Sequence, residues 1–179
     1  RYVGENINAK DLKSADLDIK TVGVFVNAEF DEIMKQVEIY NLDLVQLHGD
    51  ESPFLCEKIS SEIEVIKTFR IDDKSTKSVD SLIADYDEVC DYYLFDTLGD
   101  KGFGPTTEKF DWKKISDSKI EKPFFLSGGI QVSDAQALKS FKHPDFFGVD
   151  VNALFEKEAG VKDMALVLQF KHVLKVKTV

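Results

Sequence analysis

The chain has 179 residues, about one domain's worth of sequence, and at 43% hydrophobic residues it can bury a real core, which excludes wholesale disorder. Asp and Glu number 33 against 23 Lys and Arg, a formal net charge of −10, so it lacks the positive footprint that a nucleic-acid partner requires. Its longest unbroken apolar runs fall far short of a membrane span, no signal-type segment opens it, and its two cysteines make no disulfide framework, so a cytoplasmic, reducing compartment is expected.

The chain opens Arg1-Tyr2-Val3-Gly4-Glu5-Asn6 without a methionine, which fits a processed terminus or sequence lying upstream. Thr21 to Val26 then reads as a buried strand, and Phe30, Ile33, Met34, Val37 and Tyr40 follow at helical spacing. Leu42 to Leu47 is a second strand, after which Ser52-Pro53 supplies an N-cap and a proline at the first helical position. Glu64 to Phe69 is a third strand, followed by a helix carrying Val79, Leu82, Ile83 and Tyr86 on one face. Asp91 to Phe95 is a fourth, with a Gly-containing loop and a helix around Trp112 to Ile115. Pro123 to Leu126 is a fifth, leading to a helix entered through Ser133 with Gln136 completing a capping box. Phe146 to Val151 is a sixth, and Lys162 to Lys177 is the closing helix.

This alternation implies parallel strands with right-handed crossovers, apolar nearly throughout because both faces are covered. Two architectures satisfy it, an open doubly wound sheet or a (βα) barrel; a barrel needs eight strands and roughly 200 residues, so the chain falls about two strands short. In either case ligands bind at the carboxyl ends of the strands. Those ends are Asn27, His48, Arg70, Asp96, Ser127-Gly128-Gly129, and Asp150 with Asn152, and all six are polar.

Asp96 follows Tyr92-Tyr93-Leu94-Phe95 directly, and a partly desolvated carboxyl at a rigid strand end suits general acid or base work. Ser127-Gly128-Gly129 has the form of a phosphate cradle, since glycines let backbone N–H groups approach an anion closely. An acidic protein that takes a phosphorylated substrate needs such local donors. His48 shares strand parity with Gln46, so both point to one side. His143 and His172 give no metal-ligand spacing with His48, and no metal is indicated. Cys56 reads as a buried small hydrophobe, and Cys90 lies at the far end of the strand from Asp96.

Seven strings taken in order resemble one family, the phosphoribosylanthranilate isomerases of tryptophan biosynthesis. They are Arg1-Tyr2-Val3-Gly4, Val22-Gly23-Val24-Phe25-Val26-Asn27, Val45-Gln46-Leu47-His48-Gly49-Asp50-Glu51, Leu94-Phe95-Asp96-Thr97, Phe110-Asp111-Trp112, Phe125-Leu126-Ser127-Gly128-Gly129-Ile130 and Gly148-Val149-Asp150-Val151-Asn152. The resemblance implies a single domain over residues 1–179, a (βα)8 TIM barrel with its first strand, first helix and second strand absent from this chain. It implies no metal and no cofactor, a small phosphorylated substrate, and a monomer or homodimer. The implied reaction is an Amadori rearrangement that opens the ribose ring of phosphoribosylanthranilate. A general acid protonates the ring oxygen and a base removes the C2 proton; one group must arrive protonated and the other not.

By the same resemblance Asp96 is the acid, Arg1 contacts the substrate, His48 lines the pocket, and Gly128 and Gly129 hold the phosphate with the backbone around Asp150 and Asn152. Two departures stand out. The family's base is a cysteine in a Lys-x-Cys-Gly motif, which these 179 residues do not contain, so the chain alone is expected to be inactive and the protein with upstream residues active. Gly102-Phe103-Gly104-Pro105-Thr106-Thr107 replaces a more Gly-rich loop, and Pro105 stiffens it. Two alternatives remain open on sequence: another phosphate-binding barrel, such as an indole-glycerol-phosphate synthase or a ribulose-phosphate epimerase, and a non-catalytic remnant of the barrel.

Overall fold

In a computed structural model of the chain, residues 8, 19–99 and 108–174 are described. Arg1 and the Gly102–Thr107 loop lie outside them. The β-branched and aromatic runs of the sequence form six strands in one sheet: β1 (Val22–Phe25), β2 (Leu44–Leu47), β3 (Glu64–Ile71), β4 (Tyr92–Thr97), β5 (Phe124–Leu126) and β6 (Phe146–Val149). Their order in the sheet is the order in the chain, β1-β2-β3-β4-β5-β6. A doubly wound sheet reverses direction at a switch point and a barrel does not, so strand order decides between the two architectures that the periodicity left open.

The chain divides into two units. The first comprises Arg1–Phe69 and Ile83–Tyr93. Here β1 runs parallel to β2 with Val22 opposite Leu44 and Phe25 opposite Leu47, and β2 runs parallel to β3 with Leu47 opposite Lys67. The helix α1 (Phe30–Tyr40) buries Ile33 and stops where Asn41 turns left-handed at φ 52°, its N–H donating to Val37 O. The helix α2 (Pro53–Ser60) starts as expected: Ser52 accepts from the Leu55 N–H at 3.3 Å and Pro53 sits in the first turn. Ile33, Val45, Leu47, Cys56, Ile59, Val65 and Tyr93 form its core.

The second unit comprises Arg70–Leu82 and Leu94–Val179. It contains most of α3 (Val79–Ile83), α4 (Lys113–Ser116), β5 and β6 in parallel with a register shift between Phe124 and Phe125, α5 (Ala135–Ser140) and α6 (Met164–Leu174). Phe124 is fully buried at its centre, with Phe95 at 5.5 Å and the His143 ring at 5.0 Å between centroids. His143 is thus packed, whereas His172 lies exposed on α6.

Three expectations need correction. The strands are not covered on both faces throughout: alternate valines of β1 stay open, Val24 being 58% exposed, and Phe147 on β6 is 64% exposed. β1 and β6 are the outer strands in the order of the six, where a further neighbour and its crossover helix would otherwise supply cover. The cap after β5 is two residues earlier than Ser133 and Gln136, because the Asp134 carboxylate reaches back to the Gln131 N–H at 2.8 Å and opens a 3-10 turn, Val132–Asp134. Finally, Lys162 precedes the closing helix instead of starting it. It belongs to an antiparallel hairpin of β7 (Glu156–Glu158) and β8 (Val161–Lys162), and Asp163 caps α6 by accepting from the Ala165 N–H at 2.9 Å.

Candidate active site

In the first unit the ends of β1 and β2 are tied by one buried carboxylate. Asn27 follows β1 in the left-handed region at φ 54°, and its Oδ1 accepts from the Asp50 N–H at 2.7 Å. Glu51 Oε1 accepts from the Asn27 N–H at 2.8 Å, and both of its oxygens accept from the Gly49 N–H, at 3.0 and 2.9 Å. Lys67, in the middle of β3, donates from Nζ to Glu51 Oε2 at 2.9 Å and to Gly49 O at 2.8 Å. The Glu51 side chain is fully buried and that of Lys67 is 3% exposed. Burial alone would raise the Glu51 pKa, but the hydrogen bond and charge of Lys67, with the Asn27 N–H, outweigh it and hold the carboxyl below its ordinary value.

Backbone fit is equally close. A Cβ on Gly49 would sit 2.7 Å from Asn27 N and from Glu51 Oε1, so nothing larger than glycine enters without moving the cluster. His48 follows β2 and, as its parity requires, meets Gln46. Gln46 Nε2 lies 2.9 Å from His48 Nδ1 and donates to Thr68 Oγ1 at 3.1 Å. Along β3 the side chains alternate faces, so Thr68 sits with Gln46 and His48 while Lys67 sits on the other face.

In the second unit Asp96 is buried one residue before the end of β4, and its Oδ1 accepts from the Thr97 N–H at 2.8 Å. Arg70 falls inside β3, one residue before its end, half-buried. Ser127 follows β5 directly, its N–H donating to Phe95 O at 2.8 Å and its hydroxyl to Asp150 Oδ2 at 2.9 Å. Gly128 and Gly129 both take positive φ, 84° and 61°. The Asp150 N–H donates to Leu126 O at 2.8 Å, which leaves Gly128 and Gly129 as the stronger part of the expected phosphate cradle. Asn152 is exposed and its Oδ1 accepts from Lys162 Nζ at 2.5 Å.

Neither cysteine is placed for nucleophilic work. Burial pushes the Cys56 thiol up to about 11, and the Cys90 thiol donates to Tyr86 O at 3.2 Å. Among the described residues no group of three or more His, Cys, Asp or Glu side chains could hold a metal, and no helix is long and apolar enough to cross a membrane.

The residues that sequence reading missed are Glu51 and Lys67. A lysine at the centre of Glu64-Val65-Ile66-Lys67-Thr68-Phe69 was the available signal, since a charge flanked by buried apolar positions must find a partner.

The family model of N-(5'-phosphoribosyl)anthranilate isomerase matches residues 5–173. The chain belongs to this family. It is 42% identical over 152 residues to the N-(5'-phosphoribosyl)anthranilate isomerase of Parabacteroides distasonis, covering 84% of this chain and 67% of the relative. Among solved structures it resembles the phosphoribosylanthranilate isomerase of Thermotoga maritima, with a TM-score of 0.77 and 31% identity over 94% of this chain and 81% of that one. A family structure in complex with reduced 1-(o-carboxyphenylamino)-1-deoxyribulose 5-phosphate gives a TM-score of 0.71 at 28% identity, over 94% of this chain and 80% of that one. These neighbours are (βα)8 barrels, so the six consecutive parallel strands are part of a barrel of that type.

Proposed function

We propose that this protein converts N-(5'-phosphoribosyl)anthranilate to 1-(2-carboxyphenylamino)-1-deoxyribulose 5-phosphate by an Amadori rearrangement in tryptophan biosynthesis. The observation that carries this is a carboxyl buried at the end of β4, Asp96, in a chain matching the isomerase family over residues 5–173. Asp96 delivers its proton to the ribose ring oxygen as the C1–O bond breaks, and the nitrogen lone pair forms the iminium. Loss of the C2 proton to a base gives the enamine, which tautomerises to the ketone. The base that the family resemblance implies is the cysteine of a Lys-x-Cys-Gly motif, which the 179 residues do not contain, and by themselves they are expected to bind without turning over.

Arg1 contacts the substrate and His48 lines its pocket. The N–H groups of Gly128 and Gly129, with the backbone near Asp150 and Asn152, take the phosphate. The protein acts in the cytoplasm on this one small phosphorylated substrate, as a single domain and as a monomer or a homodimer. The test is the fluorescence decay of phosphoribosylanthranilate with the complete reading frame beside its Asp96→Asn variant. Decay with the parent and near-loss in the variant support both the reaction and the acid. No decay with a folded parent overturns the assignment and favours a non-catalytic relative of the barrel.

A further inference from the structure

We propose that Glu51 is a positioning residue for substrate binding: clamped by Lys67, it fixes the backbone at the end of β2 and thereby sets the place of His48. The inference rests on the assignment of His48 to the substrate pocket. Glu51 and His48 themselves lie on different sides of Gly49 in the chain, and the link between them is the peptide backbone. Gly49 is held at both of its polar groups, its N–H by the two Glu51 oxygens and its carbonyl by Lys67 Nζ. Asn27 is held by the same carboxylate through its N–H, and by the Asp50 N–H through its side chain. Tyr86 closes the set, its hydroxyl donating to Glu51 O at 3.0 Å. The residue immediately before this anchored glycine is His48, whose ring is aimed at Gln46 on the other face of the sheet.

Stability alone does not account for the arrangement. A buried ion pair returns little net stability compared with apolar side chains of similar volume, because both charges lose their hydration. What it supplies here is direction. Four hydrogen bonds to one carboxylate, from Asn27, Gly49 twice and Lys67, define the loop's path more sharply than apolar packing would.

The test is titration of the full chain with reduced 1-(o-carboxyphenylamino)-1-deoxyribulose 5-phosphate. Glu51→Gln is made in the parent and again in a His48→Ala background. If Glu51 acts through His48, Glu51→Gln weakens binding about 10-fold in the parent, the scale set by losing charge-assisted hydrogen bonds. In the His48→Ala background it changes binding by less than about 2-fold, as coupled residues require. Equal losses in both backgrounds, or parent-like binding by Glu51→Gln, would overturn the proposal while leaving the functional assignment intact. Absence of binding by the parent overturns the assignment and this proposal with it. Should Glu51→Gln fail to fold, Glu51→Gln combined with Lys67→Met removes both charges, and recovered stability with binding still weakened is the expected result. Recovery of parent-like binding in that double variant overturns the clamp.

Discussion

Replacing Gly128 by alanine perturbs the end of β5 in two separable ways. At φ 84° an L side chain is strained, and its Cβ would sit 2.7 Å from Thr97 N, at the end of β4 beside Asp96. Two other glycines of the same unit separate these effects. Gly160 has nearly the same φ, 88°, with nothing within 4 Å of its Cβ, and Gly148 has ordinary backbone angles with its Cβ 3.5 Å from the Phe125 ring. The left-handed conformation costs alanine about 1–2 kcal/mol, partly offset by about 0.4–1 kcal/mol from a less flexible unfolded chain. Gly160→Ala should therefore lose about 1 kcal/mol and Gly148→Ala should be close to neutral. At Gly128 the contact is with backbone, which cannot swing aside, and overpacking adds about 1–3 kcal/mol, for a total near 3 kcal/mol. In urea unfolding, with a slope of about 2 kcal/mol/M, the midpoint should fall by about 0.5 M for Gly160→Ala and about 1.5 M for Gly128→Ala. Equal midpoints for these two variants would refute the close approach of the glycine turn to Thr97. A wild-type midpoint for Gly128→Ala would refute the positive φ as well.

Asp96→Asn keeps the shape of the β4 end and removes the transferable proton, so kcat in the complete reading frame should drop by about 10²- to 10⁴-fold while affinity for the reduced product analogue stays within a few-fold; a small change in kcat moves the acid elsewhere. Glu51 has a folded pKa below its unfolded value, so its contribution to stability is present above the ordinary value of 4.5 and is lost as pH falls through the lowered one. Urea midpoints measured from pH 6 down to pH 3 should fall more steeply for the parent than for Glu51→Gln, and identical slopes would contradict the assignment. The Cys56 thiol, pushed up to about 11 and fully buried, should not react with a thiol-directed disulfide reagent at pH 8 in the native chain, and should react at once in 6 M guanidinium; rapid native labelling at Cys56 would show the core around α2 to be open.

The parts of the fold legible in the sequence were those that local chemistry writes in adjacent residues. Ser52-Pro53 marked the start of α2, and the β-branched and aromatic runs marked all six strands to within about two residues, because period and capping are short-range properties. His48, Asp96 and Ser127 stand at the ends of β2, β4 and β5, where the strand boundaries read from sequence put them, for the same reason. Glu51 and Lys67 were not legible as a pair, since 16 residues and a helix separate them and only the parallel register of β2 and β3 brings them together. The cap at Gln131 was misplaced because Ser133-x-x-Gln136 fits the sequence pattern of a capping box and Gln131-x-x-Asp134 does not, yet the Asp134 carboxylate is the stronger acceptor near the N-terminal end of a helix. The hairpin of β7 and β8 is short and charged, with no alternation to reveal it.

Net charge sets a constraint on how such strand ends can serve an anionic substrate. At −10, each added carboxylate near a strand end works against a phosphate. The structure answers this separately in each unit. In the first, the charge of Glu51 is matched by Lys67 at 2.9 Å, so this pair adds no net charge. In the second, the Asp150 carboxylate takes the Ser127 hydroxyl and Asp96 takes the Thr97 N–H, both of them neutral donors. On the proposed function, holding a phosphate then depends on where N–H groups point, and the glycine turn at Gly128, packed closely against Thr97 at the end of β4, sets that direction in the second unit.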